Sequence, residues 1–218
     1  MPEGKGIGYS TQEIKVYEGQ YKDGAPEGKG ASYFSNGTKE YEGDWKNAKK
    51  SGNGCSYYEN SEINGENMMK YEGELENGLP NGHGIGYDET SKKFYEGIWE
   101  RGLPSFKGIF FYMDTGLKWY EGDIVNAKPE GNGVSYDKDG KKSYIGEWKD
   151  GMQNGLGIEY YPDGIKKYEG DFENNRHGTD GIYYNEEGVI TSWNGVGIKN
   201  KEENKESTII IRSDQNHN

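Results

Sequence analysis

A tyrosine followed two residues later by glycine returns along this chain at a nearly constant spacing. The successive leading tyrosines are separated by 24, 30, 24, 25, 24 and 24 residues. A fixed period of this length predicts stacked copies of one small structural unit, each of which buries its apolar side against its neighbours. The leading tyrosines of the seven units are Tyr17, Tyr41, Tyr71, Tyr95, Tyr120, Tyr144 and Tyr168.

The departures from the period are local. Residues 59–70 form an insertion and residues 110–116 contain one extra residue, both at or beside a turn. Residues 3–9 resemble the second half of a unit and residues 189–198 the first half, so we expect partial units as caps at both ends. The sequence therefore predicts a repeat array over residues 1–198, followed by a charged linker and tail over residues 199–218.

Each unit has the pattern of a β-hairpin: a short alternating run, a glycine-rich loop, a second short run and a turn signal such as Asp163-Gly164. If Asp163-Gly164 is a two-residue turn, the residues that face each other across the hairpin follow directly. The predicted pairs are Tyr168 with Glu159, Gly170 with Gly157 and Phe172 with Gly155, and, from the turn at Asn36-Gly37, Trp45 with Gly28 and Gly43 with Gly30.

This register places each large ring over bare glycine of the neighbouring strand, which leaves room for rings to stack from unit to unit. On the other face, acidic columns such as Glu169 and Asp171 flank a thin apolar column that includes Ile158. Both faces are then half buried, and the product is an elongated array of seven units spanning roughly 65–70 Å.

The composition narrows the class of protein. Only 30% of the residues are hydrophobic and the net charge is −12, but 19 tyrosines and 5 tryptophans argue against disorder. No run reaches the roughly 18 apolar residues of a membrane span. The N-terminus lacks an apolar signal-peptide core and Cys55 is the single cysteine, so we expect a reducing, cytoplasmic location.

The phrases "YEGDWKNAKKSGNG" (41–54) and "YIGEWKDGMQNGLGIEYYPDG" (144–164) resemble the MORN repeat, whose consensus is roughly Y-E-G-x-W-x-x-G-x-x-x-G-x-G followed by an aromatic residue and an Asp-Gly turn. The resemblance covers about residues 3–198. It implies an all-β fold, an elongated, single-layer, twisted antiparallel sheet of successive β-hairpins. It also suggests a place in a cytoskeletal or ciliary assembly, and no catalytic domain accompanies the repeats.

The chain departs from that consensus at three places. Leu75 and Ile124 replace the aromatic residue of their units, and residues 101–108 lack the first glycine of the G-x-G. We therefore expect the array to be uneven around units three to five.

The sequence predicts no enzyme, metal site or cofactor. The three histidines (His83, His177 and His217) and Cys55 have no zinc-binding spacing. The carboxylates recur at the repeat period, which suits a solvated sheet face better than an acid/base pair. The net charge of −12 opposes nucleic-acid binding.

We therefore expect a scaffold that binds other proteins, because partly exposed aromatic rings with small residues between them have the composition of an interaction hot spot. The sequence leaves open whether the protein forms a homodimer. The predicted groove residues are Tyr17, Tyr21, Tyr41, Trp45, Tyr71, Tyr95, Trp99, Tyr120, Tyr144, Trp148, Tyr168 and Phe172.

Membrane recruitment is the alternative function. Lysines follow each turn and would gather along one edge of the sheet, where they could bind phosphoinositides or other anionic lipids. The same lysines could instead pair with the glutamate columns, which we favour because the chain is acidic overall. The candidate lysines are Lys39, Lys92, Lys93, Lys118, Lys141, Lys142, Lys166 and Lys167.

The run "STIIIR" (207–212) is the strongest β-branched stretch and lies outside the repeats. An open hairpin array has exposed edges that can pair with a further strand. We expect Ile209 and Ile211 to pack beside the 189–198 strand as a C-terminal cap, with a swapped or partner-bound strand as the alternative.

Overall fold

The computed structural model describes residues 3–63 and 66–194. They form sixteen antiparallel strands in a single sheet, and each strand is hydrogen-bonded to the strands before and after it in the sequence. The prediction of an all-β sheet of successive hairpins is confirmed.

The strands have similar lengths apart from two long ones and the short terminal ones. They are β1 (Gly4–Tyr9), β2 (Lys15–Lys22), β3 (Ala25–Tyr33), β4 (Lys39–Lys46), β5 (Lys49–Ile63), β6 (Glu66–Glu76), β7 (Leu79–Tyr87), β8 (Lys93–Glu100), β9 (Leu103–Phe111), β10 (Lys118–Val125), β11 (Lys128–Tyr136), β12 (Lys142–Lys149), β13 (Met152–Tyr160), β14 (Lys166–Glu173), β15 (Arg176–Tyr184) and β16 (Ile190–Asn194).

Two kinds of turn alternate along the sheet. Within each unit, two-residue turns such as Asp150-Gly151 have positive φ at both residues (51° and 83°), as type I′ hairpin turns require. Between units the loops are longer: the Tyr161 N–H donates to the Ile165 carbonyl oxygen and the Gly164 N–H donates to the Tyr161 carbonyl oxygen.

The prediction of a two-residue turn at Asp163-Gly164 is therefore wrong, because the loop holds residues 162–164. A β-bulge between Glu159 and Tyr160 compensates for the extra residue, so all the predicted pairs are still present. The loop at Asn36-Gly37 behaves in the same way, and the pairs of Trp45 with Gly28 and Gly43 with Gly30 are confirmed.

Glycines line up across the sheet in one unbroken row from β1 to β15, in which each glycine faces a glycine of the next strand. Strand β16 ends the row with Asn194 opposite Gly181. The members of this glycine row are Gly6, Gly19, Gly30, Gly43, Gly54, Gly73, Gly84, Gly97, Gly108, Gly122, Gly133, Gly146, Gly157, Gly170 and Gly181.

The leading tyrosines lie flat on the glycine row. A Cβ added at Gly157 would overlap the ring and hydroxyl of Tyr144, so no other residue type leaves room for that ring. The Tyr144 hydroxyl donates to the carbonyl oxygen of Glu147 at 2.9 Å, beside the bulge between Gly146 and Trp148 that interrupts the ladder. The ring therefore satisfies a backbone acceptor at the bulge.

Aromatic rings join one unit to the next on this face, which we call the tyrosine face. Trp148 makes edge-to-face contacts with Tyr144 of its own unit and Tyr120 of the preceding one, with centroids 5.4 and 5.2 Å apart. Its Nε1–H donates to the Gly133 carbonyl oxygen of the preceding unit at 3.4 Å. Trp45 and Trp99 make the equivalent bonds to Gly30 and Gly84, both at 3.0 Å.

The irregular units keep this packing with other side chains. Leu75 and Ile124 are buried in place of the aromatic residue, and the rings of Phe110 and Trp119 stack with centroids 5.6 Å apart. The 59–70 insertion lengthens the hairpin of β5 and β6.

The structure also contains the two half-units at the ends of the array. Strands β1 and β16 pair with the first and last complete units. The predicted linker and tail (199–218) and the predicted packing of Ile209 and Ile211 lie outside the described residues.

Candidate functional site

The twelve rings predicted to form a binding groove are the core of the array. Eleven of them are buried, with exposed fractions from 0% to 9%, and Tyr21 is partly buried against them. The expectation that they are partly exposed is wrong. The glycine row lets each leading tyrosine pack directly against the backbone, and the side chain four residues after the leading tyrosine of the next unit covers it, as Phe172 covers Tyr144. Their role in binding a partner is untested, but they do not form an open surface.

The opposite face, which we call the groove face, carries a central row in which glutamate alternates with apolar residues except at Ile145 and the terminal Trp193. Each member faces the next across neighbouring strands. The central row is Ile7, Glu18, Ala31, Glu42, Cys55, Glu72, Ile85, Glu96, Ile109, Glu121, Val134, Ile145, Ile158, Glu169, Ile182 and Trp193.

A second set of aromatic residues flanks the central row on the groove face, at the last position of β1, β3, β7, β9, β11, β13 and β15 and at the equivalent position within the longer β5. Tyr9 is 60% exposed and the others are half buried. Four of these hydroxyls lie 3.3–3.5 Å from a glutamate of the central row, as Tyr184 does from Glu169. This outer aromatic row is Tyr9, Tyr33, Tyr57, Tyr87, Phe111, Tyr136, Tyr160 and Tyr184.

Ion pairs separate the two rows. In five of the seven units, the bulge before the leading tyrosine brings a lysine onto the groove face beside the glutamate three residues later. Lys39 contacts Glu42 at 2.6 Å and Lys93 contacts Glu96 at 2.7 Å, and the units of Lys15, Lys118 and Lys166 repeat the arrangement.

The first unit adds an aromatic contact to the ion pair. The Nζ atom of Lys15 lies 3.8 Å from the centroid of the Tyr33 ring. Hydrogen bonds with Tyr33 and Glu18 raise the pKa of Lys15, which therefore stays charged.

The groove face is concave from β1 to β10. A groove of about 1220 Å³ runs from Ile7 to Glu72, and a second of about 700 Å³ continues from Glu72 to Glu121. Backbone of the glycine row contributes to the floor of both. The surface offers carboxylates, aromatic edges and small apolar side chains to a long ligand.

A MORN repeat pattern matches residues 17–39, 41–62, 71–85, 95–114, 120–142, 144–166 and 168–179, which together are more than half of the chain. The chain belongs to the MORN-repeat family. Each match begins at one of the seven leading tyrosines, so the prediction of seven MORN repeats is confirmed. A comparison with curated proteins gave no significant match.

A second acidic column on the groove face contains aspartates two residues after glutamates of the central row, and these aspartates stabilise the MORN hairpins. Carboxylate oxygens of Asp44 and Asp123 accept hydrogen bonds from the N–H groups of Asn53 and Asn132, each at 3.0 Å, at the bulged loop. Burial acts to raise the pKa of Asp44, but hydrogen bonds from Lys29 and from the Asn53 N–H lower it below its usual range. These carboxylates are part of the fold.

Most of the lysines predicted to bind lipid already have partners in the MORN array. Lys93, Lys118 and Lys166 form the ion pairs described above, and Lys167 pairs with Glu159 at 3.0 Å. Lys92 donates to the Met113 carbonyl oxygen at 2.8 Å. Lys141 and Lys142 are exposed.

The described part of the MORN array offers little reactive chemistry. Residues 3–63 and 66–194 contain no cluster of three or more metal-ligating side chains. Burial raises the pKa of Cys55, which lowers the thiolate fraction. His83 lies exposed on β7, while His177 stacks on Tyr168 (centroids 3.9 Å apart) and contacts Glu159 at 2.7 Å. His217 lies outside the described residues.

Residues 3–63 and 66–194 contain no helix that is long and apolar enough to cross a membrane.

The sequence did contain a signal for the outer aromatic row. An aromatic residue ends the second strand of most units, and strand alternation places it on the groove face, as for Tyr160 two residues after Ile158 on β13.

Proposed function

We propose that this protein is a non-catalytic scaffold that binds another protein along its groove face. MORN repeats are common in scaffold and membrane-associated proteins and are generally non-catalytic. The observation that supports a protein partner is the outer aromatic row, because half-buried tyrosines beside charged and small apolar residues have the composition of a protein interface. A cytoskeletal or ciliary assembly is the setting that the family resemblance suggests.

Site-specific photo-crosslinking in the source cells tests the surface. A photoreactive phenylalanine replaces Tyr136 on the groove face or, as a control, the exposed Asp139 at a loop tip. We expect covalent protein adducts from position 136 and few from position 139. Adducts from position 139 alone would move the interface to the loop edge.

The yield of these adducts then gives a quantitative test of the outer aromatic row. In a chain that carries the photoreactive residue at position 136, Tyr160→Ser should reduce adduct yield about tenfold, the size expected for loss of one contact of about 1.4 kcal/mol. Circular dichroism should show an unchanged sheet. An unchanged yield would remove the outer aromatic row from the interface.

Membrane recruitment remains the second candidate, because Lys141 and Lys142 are exposed beside one another. Sedimentation with phosphoinositide vesicles at low salt and at about 0.5 M salt measures it, since screening at that concentration is nearly complete within a few Å. Binding at low salt that disappears at high salt and in Lys141→Gln/Lys142→Gln would support this function. Absence of sedimentation at both salt concentrations would exclude it.

A further inference from the structure

The alternation of the central row fails in unit six. Val134, Ile145 and Ile158 face one another across β11, β12 and β13, with no glutamate between them. All three are half buried, and Leu156, two residues before Ile158 on the same face, is 54% exposed. These four side chains form a continuous apolar surface, which we call the apolar slot.

The presence of Ile145 where the neighbouring units have glutamate also changes the charge balance beside the slot. In the units on either side, Lys118 pairs with Glu121 and Lys166 pairs with Glu169 at 3.0 and 2.8 Å. Lys142 occupies the equivalent position, but the residue three places later is Ile145. An apolar surface therefore adjoins an exposed cation that has lost the glutamate of its repeat. A complementary segment would bring branched apolar side chains and a carboxylate.

The chain contains such a segment outside the described residues. Glu206 is followed by Ser207 and Thr208 and then by three consecutive isoleucines, 209–211. The twelve residues from 195 to 206 can span about 40 Å when extended. Strand β12 lies four strand spacings from β16, or about 19 Å. The segment can therefore reach the slot of its own chain.

We propose that residues 206–211 dock on the apolar slot of unit six, with the isoleucines over Val134, Ile145 and Ile158 and Glu206 beside Lys142. Docking there covers apolar surface and supplies the carboxylate that the sixth repeat lacks. It also covers the groove face of units five and six, so a partner bound there would displace the segment, a consequence that rests on the proposed function.

Disulfide trapping in the full chain tests the contact. In a Cys55→Ser background, Ile210→Cys is combined with Leu156→Cys at the slot. Two control chains combine Ile210→Cys with Ser192→Cys on β16 or with Lys29→Cys near the other end of the array. Under mild oxidation we expect an intrachain disulfide with position 156 at least ten times faster than with either control.

A matched variant separates docking from proximity alone. Ile145→Glu restores the repeat pattern beside Lys142, so the fold is retained while the slot becomes charged, and trapping at position 156 should fall at least tenfold. Ile145→Val should leave the rate within about twofold.

Three results would overturn the proposal. Faster trapping at position 192 would show that the segment pairs with the edge of the sheet. Disulfide-linked dimers would show docking on a second copy. Equal rates at all three positions, or a rate at position 156 that Ile145→Glu leaves unchanged, would show that the slot is not the binding surface.

Discussion

The two faces of the sheet carry tyrosines at the same repeat period, but these tyrosines have opposite environments. Tyr144 is fully buried, whereas Tyr160, sixteen residues later in the same unit, is half buried on the groove face. The Tyr144 ring lies on Gly146 and Gly157, while Tyr160 faces Lys166 across the strands. The backbone beneath a ring, more than the ring itself, decides whether it stabilises the array or remains available to a partner.

Alkaline pH should give the largest effect, because it acts on the whole tyrosine face at once. Burial raises the pKa of Tyr17, Tyr95 and Tyr168 to about 12 and also raises the pKa of the other four leading tyrosines. Between the unfolded pKa of about 10 and the folded pKa, the native state binds more protons, so stability falls as pH rises.

We therefore expect the contribution of these tyrosines to stability to be constant below about pH 9, and stability to fall steeply above about pH 10. Denaturant unfolding at a series of pH values measures the loss, and phenolate absorbance reports ionisation. Ionisation of all the tyrosines near pH 10 without loss of the sheet would contradict the burial of the leading set.

Removing one ring from each face should separate their roles. Tyr144→Ala deletes a fully buried ring and should lower the free energy of unfolding by about 4 kcal/mol. Tyr160→Ala, on the groove face of the same unit, should cost about 1 kcal/mol because much of that ring is already solvated. Urea unfolding measures both, and equal costs would mean that both rings belong to the core.

Adding a methyl group beneath a ring should cost nearly as much as removing the ring. Gly157→Ala should lower the free energy of unfolding by about 3 kcal/mol, because the new Cβ overlaps the Tyr144 ring. Gly164→Ala is the matched control: it has φ of +91° in a loop with no atom within 4 Å of its Cβ, so only backbone strain of about 1 kcal/mol is expected. A milder effect at Gly157 than at Gly164 would rule out close contact between ring and backbone.

The smallest effect is a gain in stability at positions where the repeat has lost glycine. Phe106 has φ of 56° and is 57% exposed, and Ala48 and Ala127 have φ of 60° in the two-residue turns. Phe106→Gly and Ala48→Gly should each raise the free energy of unfolding by about 1 kcal/mol by relieving left-handed strain. Thermal unfolding measures the gain, with Ala25→Gly as a control that should be destabilising.

The repeat pattern alone was enough to predict the hairpins, the strand register and the glycines beneath the rings. It also located the missing glycine in residues 101–108, where Phe106 adopts the left-handed backbone. It could not give the size of the turn at Asp163-Gly164, since one extra loop residue and one bulge cancel in the register.

The sequence also failed to predict which aromatic rings are buried. Whether Tyr144 is covered depends on Trp148 and Phe172, with which it makes edge-to-face contacts. The sequence predicted room for stacking between units, but not how completely the stacked rings exclude water. For the same reason the sequence predicted partial exposure for rings that are buried. Alternation along β13 is enough to place Tyr160 on the face of Ile158, but the sequence did not mark the outer aromatic row as a candidate binding surface.

The consecutive order of the strands has a mechanical consequence. Because each strand pairs only with its neighbours in the sequence, the first and last strands lie at opposite ends of the sheet. Tension applied to them would peel one strand at a time and break ladder hydrogen bonds singly, at low force. Each 24-residue unit that opens would release roughly 80 Å of chain. A sheet built in this way would lengthen several-fold under tension and would re-form unit by unit when the tension is removed.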